Sequence, residues 1–239
     1  MPRTILVTGG ATGIGRACAV HFAAQGDRVL ITGRRAALLA TTAEGIGATP
    51  LAFDAADPDA VAAMLDDLPD RIDVLVNNAG GNTDLSGAGS QQEPDDAPIS
   101  AQLARLAERW QANLRANLLT AVLVTEALAP RLADGGCIVT IGSIAARTGG
   151  GGSYGASKAA IEAWTADIAR SLGPRGITAN VVAPGLIEET EFFHGKLTDV
   201  RREGLVAATF TGRAGRPDDV AATVAFLASP AAGHVTGQV

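Results

Sequence analysis

Cysteine is scarce in this sequence, and blocks of basic residues and long apolar runs are missing. The 239 residues include two cysteines, Cys18 and Cys137, with no metal-ligand spacing and no evident pairing, so we expect no metal and a reducing, cytoplasmic setting. The net charge is −6, and basic residues do not alternate with aromatic ones, which argues against a nucleic-acid partner. No apolar run reaches the length of a membrane span, and too few residues precede the first apolar run for a signal peptide.

What the sequence does contain is a regular alternation of short apolar runs and helix-like stretches. The apolar runs predict strands at residues 4–8, 28–32, 49–53, 72–76, 136–142 and 177–182. The later helical patterns cover residues 101–132, 154–172, 188–209 and 218–227. This order predicts an α/β fold, a three-layer doubly wound parallel sheet (Rossmann fold), as a single domain over residues 1–239. A further strand begins at about residue 234, and we expect it to be truncated.

A glycine-rich turn joins the first strand to the first helix. Gly9 permits a tight turn, while Gly13 and Gly15 allow the backbone to approach a pyrophosphate and the helix to pack closely. The helix N-terminus would then face the phosphates. A glycine-rich surface turn is the alternative, but it does not account for both the strand and the helix. We therefore expect this turn, including Thr12 and Ile14, to bind a dinucleotide.

The end of the second strand indicates which dinucleotide is bound. An NAD site would carry an acid there to hold the ribose 2′-hydroxyl. Instead the strand is followed by Arg34 and Arg35, whose guanidiniums suit a 2′-phosphate. NADP(H) is thus expected and NAD is less favoured. The alternative is that both arginines only solvate a loop.

Two later strand ends also carry polar groups. Asp54 follows the third strand and would accept a hydrogen bond from the adenine amino group, unless it is a helix N-cap or loop carboxylate. Asn77-Asn78-Ala79-Gly80 ends the fourth strand, at the edge where parallel sheets bind ligands. We expect Asn78, Ala79 and Gly80 to line the cofactor crevice.

Tyr154 and Lys158 are four residues apart at the start of an alanine-rich helical run, and so share one helix face. A cation ~4 Å from the phenol, at an effective dielectric of ~20, would favour phenolate by roughly 4 kcal/mol. That is about three pKa units before burial acts in the opposite direction. The pair predicts a tyrosine that exchanges a proton near neutral pH. An ordinary amphipathic helix face is the alternative.

Together these motifs resemble the short-chain dehydrogenase/reductase family along essentially the whole chain. The matching segments are Thr8-Gly9-Gly10-Ala11-Thr12-Gly13-Ile14-Gly15, Asn77-Asn78-Ala79-Gly80, Tyr154-x-x-x-Lys158 with Ser143 upstream, and Pro184-Gly185. The resemblance is closest to bacterial ketoreductases of the 3-oxoacyl-thioester type.

The resemblance implies a role for each matching residue. Tyr154 would donate a proton to a carbonyl oxygen, or accept it in reverse, and Ser143 would hydrogen-bond that oxygen. Lys158 would lower the pKa of Tyr154 and bind the nicotinamide ribose. Asn117 would hold a water in a proton relay, with Asn113 as a nearby competitor. Pro184 and Gly185 follow the sixth strand and would border the cofactor. Ile187 and Thr190, just after them, would contact the nicotinamide carboxamide.

The sequence departs from the family pattern in three places. The interval from Ser143 to Tyr154 is about two residues shorter than usual, so we expect an altered substrate entrance. Glu189 occupies the slot where a threonine is expected, and Thr190 follows one residue later. The segment that normally follows Thr236-Gly237-Gln238-Val239 is absent.

We therefore interpret the chain as an NADP(H)-dependent oxidoreductase that interconverts a ketone and a secondary alcohol. Arg175 matches a position that some relatives use to dock an acyl carrier protein, but a second basic position is Asp134 here, and Arg175 would equally cap a helix end. A non-catalytic NADP-binding sensor or assembly partner is the alternative function. The 80–99 loop and the 188–209 region would shape the substrate pocket. The helices that follow Asn117 and Tyr154 predict a homodimer or homotetramer.

Overall fold

Six parallel strands form the centre of the computed structural model, which describes residues 2–85, 97–149 and 151–239. They are β1 (Thr4–Thr8), β2 (Arg28–Gly33), β3 (Thr49–Ala52), β4 (Ile72–Asn77), β5 (Leu132–Ile141) and β6 (Thr178–Val182). Their order in the sheet is β3-β2-β1-β4-β5-β6. The order changes direction between β1 and β4, so the carboxyl ends of these two strands border the crevice where such sheets bind ligands.

Helices cover both faces of the sheet. They are α1 (Gly13–Ala24), α2 (Ala36–Ile46), α3 (Pro58–Met64), α4 (Ile99–Leu114), α5 (Thr120–Leu128), α6 (Ala145–Thr148), α7 (Gly152–Leu172), α8 (Asp199–Ala207) and α9 (Pro217–Leu227). Successive strand residues point to opposite faces, so Ile5 and Val7 pack with α1, α2 and α9, while Leu6 packs with α3, α5 and α7. Strands buried on both faces explain the continuous apolar runs of the sequence. The predicted three-layer parallel fold is confirmed.

The predicted helical region over residues 101–132 is confirmed, but it is not one regular α-helix. The structure has α4, then a π-helical turn at Arg115–Leu119, then α5 and a short 3-10 turn at Ala129–Arg131. The physical reason lies at Asn117, whose side chain bonds the chain that follows β4 and so fixes a wider turn at this point. The helical region ends at Arg131, and β5 begins directly after it at Leu132, before the predicted start at residue 136.

The predicted helical region at 188–209 is helical only in α8. Glu189 and His194 have φ values of 57° and 49°, which lie in the left-handed region that a right-handed helix cannot contain. Residues 189–194 therefore form an irregular segment after β6. Residues 86–96 of the predicted pocket loop, and Gly150 before Tyr154, lie outside the described residues.

The last residues lie beside β6. The Gly237 N–H donates to the Ala179 carbonyl at 2.8 Å, and the Val181 N–H donates to the Gln238 carbonyl at 2.8 Å. This is the start of the further strand that the sequence indicates. Among the helices described, none combines the length and the apolar character needed to cross a membrane.

Candidate active site

Tyr154 and Lys158 lie on the first turns of α7, and both are almost fully buried. The Lys158 Nζ lies 5.9 Å from the centroid of the Tyr154 ring and donates to the Ile141 carbonyl at 2.8 Å. Because Ile141 is the last residue of β5, this hydrogen bond holds the Lys158 ammonium at the carboxyl edge of the sheet. The predicted shared face of the helix is therefore present.

Burial controls the titration of both side chains. It raises the pKa of Tyr154, and a hydrogen bond with Ser143 only partly opposes this effect. Burial also lowers the pKa of Lys158 to about 8. The predicted lowering of the Tyr154 pKa by its neighbouring cation is thus wrong for this structure. The ammonium is directed at the Ile141 carbonyl, while removal from water penalises the phenolate.

Ser143 follows β5 and lies within hydrogen-bonding reach of the phenol. Its Oγ also accepts the Ala145 N–H at 3.2 Å, which starts α6. The short interval between Ser143 and Tyr154 is accommodated because α6 packs directly on the start of α7. A Cβ on Gly155 would lie 2.8 Å from the Ala145 carbonyl oxygen, so this close packing requires glycine. The structure brings together the serine, tyrosine and lysine that the sequence singled out.

Asn117 lies in the π-helical turn, and its side chain holds the chain that follows β4. Its Oδ1 accepts the Gly81 N–H at 3.0 Å, and its Nδ2 donates to the carbonyls of Gly81 at 2.9 Å and Asn113 at 3.0 Å. This geometry gives the Asn117 side chain a positioning role. Its predicted part in a water relay stays a prediction.

A neighbouring cluster was missed in the sequence analysis. Asn113 accepts the Thr83 N–H at 3.1 Å and donates to the Ser153 Oγ at 2.9 Å, and Ser153 donates to Asp84 at 3.3 Å. Ser153 directly precedes Tyr154, so the cluster joins the loop after β4 to the start of α7. The four-residue spacing of Asn113 and Asn117 was the available signal, because it places both amides on one helix face.

The glycine turn is held against the end of β4. The Asn78 Nδ2 donates to the carbonyls of Thr8 and Gly9, both at 3.0 Å, and the Thr8 Oγ1 accepts the N–H groups of Asn78 and Ala79. A Cβ on Gly15 would lie 2.3 Å from the Gly9 carbonyl oxygen, so only glycine fits there. The Asn78 side chain therefore shapes the turn, while Gly80 lies against the Asn117 amide.

The two arginines after β2 have different surroundings. Arg34 is exposed and makes no ion pair within the described chain. Arg35 is paired with Glu191, at 2.5 Å from Nη2 to Oε2 and 3.0 Å from Nη1 to Oε1. Arg35 is thus already bound by a carboxylate from the segment after β6, and its contact with a 2′-phosphate stays a prediction.

Asp54 makes two contacts in the structure. Its Oδ1 accepts the Ala56 N–H at 3.0 Å, and its Oδ2 lies 3.5 Å from the Arg115 guanidinium. The first contact is that of the loop carboxylate which the sequence left open as the alternative. A hydrogen bond to adenine stays a prediction.

The segment after β6 returns over the glycine turn. Thr190 lies against Gly13, where an added Cβ would be 3.3 Å from its Cγ2, and Ile187 pairs with Gly215. Pro184 accepts the Ile144 N–H at 3.1 Å, and Gly185 is exposed beside it. Phe192, which the sequence analysis did not single out, meets the Tyr154 ring edge-on at 5.5 Å between centroids.

Comparison with known proteins decides the family. A family model described as enoyl-(acyl carrier protein) reductase matches residues 9–239. The 3-oxoacyl-[acyl-carrier-protein] reductase FabG of Escherichia coli (strain K12) is 33% identical over 242 residues, which cover 98% of this chain and 92% of that protein. The chain belongs to the short-chain dehydrogenase/reductase family. The predicted family and its oxidoreductase class are confirmed.

Two other members of the family are named for a substrate or a bound cofactor. The L-rhamnose 1-dehydrogenase (NAD(P)(+)) of Azotobacter vinelandii is 36% identical over 254 residues, covering 98% of this chain and 93% of that protein. A short-chain dehydrogenase from Burkholderia cenocepacia J2315, solved in complex with NADP, superposes with a TM-score of 0.78 at 35% identity, covering 99% of this chain and 94% of that one. The two relatives that are named for their substrates thus differ, one acting on L-rhamnose and the other on a 3-oxoacyl-[acyl-carrier-protein].

The residues of the crevice fit a phosphorylated dinucleotide. No acidic residue lies in the first turn of α1, so no carboxylate of that turn competes with a phosphate for the free backbone N–H groups. The lining of a cavity of about 620 Å³ beside this turn includes Thr12, Gly13, Arg16 and Thr190, together with three acidic residues, Glu189, Glu191 and Asp218. Arg34 adds an exposed guanidinium near the same edge of the sheet. In the described part of the chain, no group of three or more acidic, histidine or cysteine side chains is arranged to hold a metal ion.

Proposed function

We propose that this protein is an NADP(H)-dependent oxidoreductase that interconverts a ketone and a secondary alcohol, with Tyr154 as the proton donor or acceptor. The observation that carries the proposal is the buried Tyr154 phenol, which lies near Ser143 and shares a helix face with Lys158. This group lies at the carboxyl edge of the sheet, next to the turn that suits a dinucleotide.

The chemistry that a bound nicotinamide supplies is hydride transfer to or from the substrate carbon. Tyr154 gives its phenol proton to the developing alkoxide during reduction and takes it back during oxidation. A raised pKa keeps the phenol protonated at neutral pH, which suits reduction. Ser143 would hydrogen-bond the reacting oxygen, and Lys158 would bind the nicotinamide ribose. Phe192 helps to exclude water from the phenol.

The test of this mechanism is Tyr154→Phe, which removes only the hydroxyl. We expect turnover of a responsive ketone to fall at least ~100-fold, because general acid catalysis contributes about that much or more. NADPH binding, followed by the fluorescence of the reduced nicotinamide, should stay close to that of the wild type. Unchanged turnover would contradict the mechanism. A wild-type protein that binds NADPH but reduces no ketone would favour the alternative, a non-catalytic sensor or assembly partner.

The choice of NADP(H) rests on Arg34, whose guanidinium is exposed and unpaired in the described chain. We expect Arg34→Asp to weaken NADPH binding by roughly tenfold or more, because it replaces a phosphate-binding cation with a repelling anion. NADH, which has a hydroxyl at that position, should be affected far less. Equal losses for the two cofactors would show that Arg34 does not bind the 2′-phosphate.

The substrate class is proposed from the relatives. A 3-oxoacyl thioester is the first candidate, and a panel of NADPH-dependent assays with acyl thioesters, small ketones and sugar lactones tests it. Docking of an acyl carrier protein through Arg175 has little support from the geometry. Its Nε donates to Asp134 at 2.8 Å, and its Nη groups bind the carbonyls of Ala129 and Leu132. These contacts support the alternative role of Arg175 as a helix cap.

The setting of the enzyme is also proposed. A single domain over residues 1–239 is supported by the one sheet and by a family match that spans most of the chain. A cytoplasmic location is supported by two cysteines that are both buried and free. A homodimer or homotetramer is supported by exposed apolar residues on α4.

A further inference from the structure

Both carboxylate oxygens of Glu191 bind the guanidinium of Arg35. Oε1 lies 3.0 Å from Nη1 and Oε2 lies 2.5 Å from Nη2, while the Thr12 hydroxyl donates to the same Oε2 at 3.3 Å. The hydrogen bond with Arg35 lowers the pKa of Glu191, so the carboxylate is charged at neutral pH. Glu191 follows β6 and Arg35 precedes α2, so the pair joins two elements that border the cofactor crevice.

This contact has a consequence for a 2′-phosphate. Phosphate is bound most strongly when a guanidinium presents two parallel N–H groups to it. In Arg35 those two nitrogens already face Glu191, whereas Arg34 is unpaired in the described chain. A 2′-phosphate that reaches Arg35 must displace Glu191 and then lies near a carboxylate of the same sign. A 2′-hydroxyl is neutral, so it needs no displacement of Glu191 and is not repelled by its carboxylate.

We propose that Glu191 is a cofactor-selectivity residue that competes with the 2′-phosphate for Arg35 and so narrows the preference for NADP(H) over NAD(H). The inference rests on the proposed function, in which the enzyme binds NADP(H). Arg35 and Glu191 are both about half exposed, and water screens such a pair. The expected effect on affinity is therefore modest, roughly two- to fivefold.

The test uses two nucleotides that differ only in the 2′-phosphate, adenosine 2′,5′-bisphosphate and AMP. Calorimetric titration measures the Kd of each for the wild type, Glu191→Gln, Arg35→Gln and the double variant. Glu188→Gln is the matched control, because Glu188 loses the same charge in the same region but is paired with Arg202 instead. Thermal unfolding of each variant verifies that the fold is intact.

Glu191→Gln should bind the bisphosphate roughly two- to fivefold more tightly than the wild type does, with AMP unchanged. This gain in affinity should be smaller when Glu191→Gln is added to Arg35→Gln, because the guanidinium for which Glu191 and the phosphate compete is then absent. Glu188→Gln should behave as the wild type for both probes. If the wild type prefers the bisphosphate and Glu191→Gln shows the same or a weaker affinity for it, the role of Glu191 is refuted. If the wild type binds both probes equally, the proposed choice of NADP(H) fails first, and the inference fails with it.

Discussion

At the scale of single residues, burial determines which protonation states the active site holds. The pKa of Tyr154 is raised and that of Lys158 is lowered to about 8, so burial favours the neutral form of each side chain. A neutral phenol is a proton donor that needs no activation, whereas oxidation of an alcohol needs the phenolate. We therefore interpret the arrangement as one suited to reduction near neutral pH, with oxidation favoured at higher pH.

The Lys158 shift predicts a pH-dependent stability. The unfolded chain binds the Lys158 proton up to about pH 10.5, but the folded chain holds it only up to about pH 8. Between these values the unfolded state binds more protons, so stability rises with pH. From pH 8 to 9.5, the free energy of unfolding of the wild type should rise by roughly 2 kcal/mol relative to Lys158→Met, measured by urea denaturation.

The comparison with Lys158→Met isolates this effect. Burial raises the pKa of Cys18 to about 12 and that of Cys137 to about 11, so both thiols act in the opposite direction above pH 9. Since both proteins carry these thiols, their contribution cancels in the difference. An identical pH dependence in the two proteins would mean that Lys158 keeps an ordinary pKa in the folded state.

At the scale of elements, the π-helical turn at Arg115–Leu119 links the helix layer to the loop after β4. Asn117→Ala removes three hydrogen bonds and leaves both backbone groups of Gly81 without their partner. An unsatisfied buried group costs about 1–3 kcal/mol, and Gly81 is only partly buried, so we expect Asn117→Ala to lower the free energy of unfolding by roughly 1–3 kcal/mol. Turnover should also fall, since the same loop is tied to Ser153 next to Tyr154.

Urea denaturation measures the stability loss, and Gln111→Ala on the same helical region is the control. Gln111 is exposed, so its removal should change stability by less than about 0.5 kcal/mol. A loss as small as this for Asn117→Ala would show that water replaces the amide without cost, and that the side chain does not position the loop.

The elements that were predictable from sequence are those with local causes. The six strands and the glycine turn follow from apolar runs and from residues that permit a tight turn, and both were placed within a few residues. The π-helical turn depends on a bond between Asn117 and Gly81, which are 36 residues apart. The Arg35–Glu191 pair joins residues 156 positions apart. Such contacts leave no periodic signal, so the placement of Tyr154 and Lys158 on one helix face was predictable, while the ion pair of Arg35 and the effect of burial on the Tyr154 pKa were not.

At the scale of the whole molecule, one helix face is apolar and exposed. Ile99, Leu103, Leu106 and Trp110 are spaced by four, three and four residues, so they form a single stripe along α4. Their exposed fractions are 67%, 56%, 42% and 41%. A stripe of this kind is typical of a surface that packs against another helix, and a two-fold pairing of α4 with its copy would bury it on both chains.

This stripe predicts how the oligomer is broken. Leu103→Glu combined with Leu106→Glu places two charges in the middle of the proposed contact, where burial without a partner is strongly unfavourable. We expect the double variant to sediment at about half the mass of the wild type or less in analytical ultracentrifugation. Phe210→Glu is the matched control, because Phe210 is fully exposed but lies outside the stripe, and the assembly should persist.

If the double variant keeps the wild-type mass, or the wild type is itself a monomer, α4 is not the subunit contact. Because α4 leads directly into the turn that holds Asn117, loss of the contact should also reduce turnover, whereas Phe210→Glu should leave it unchanged.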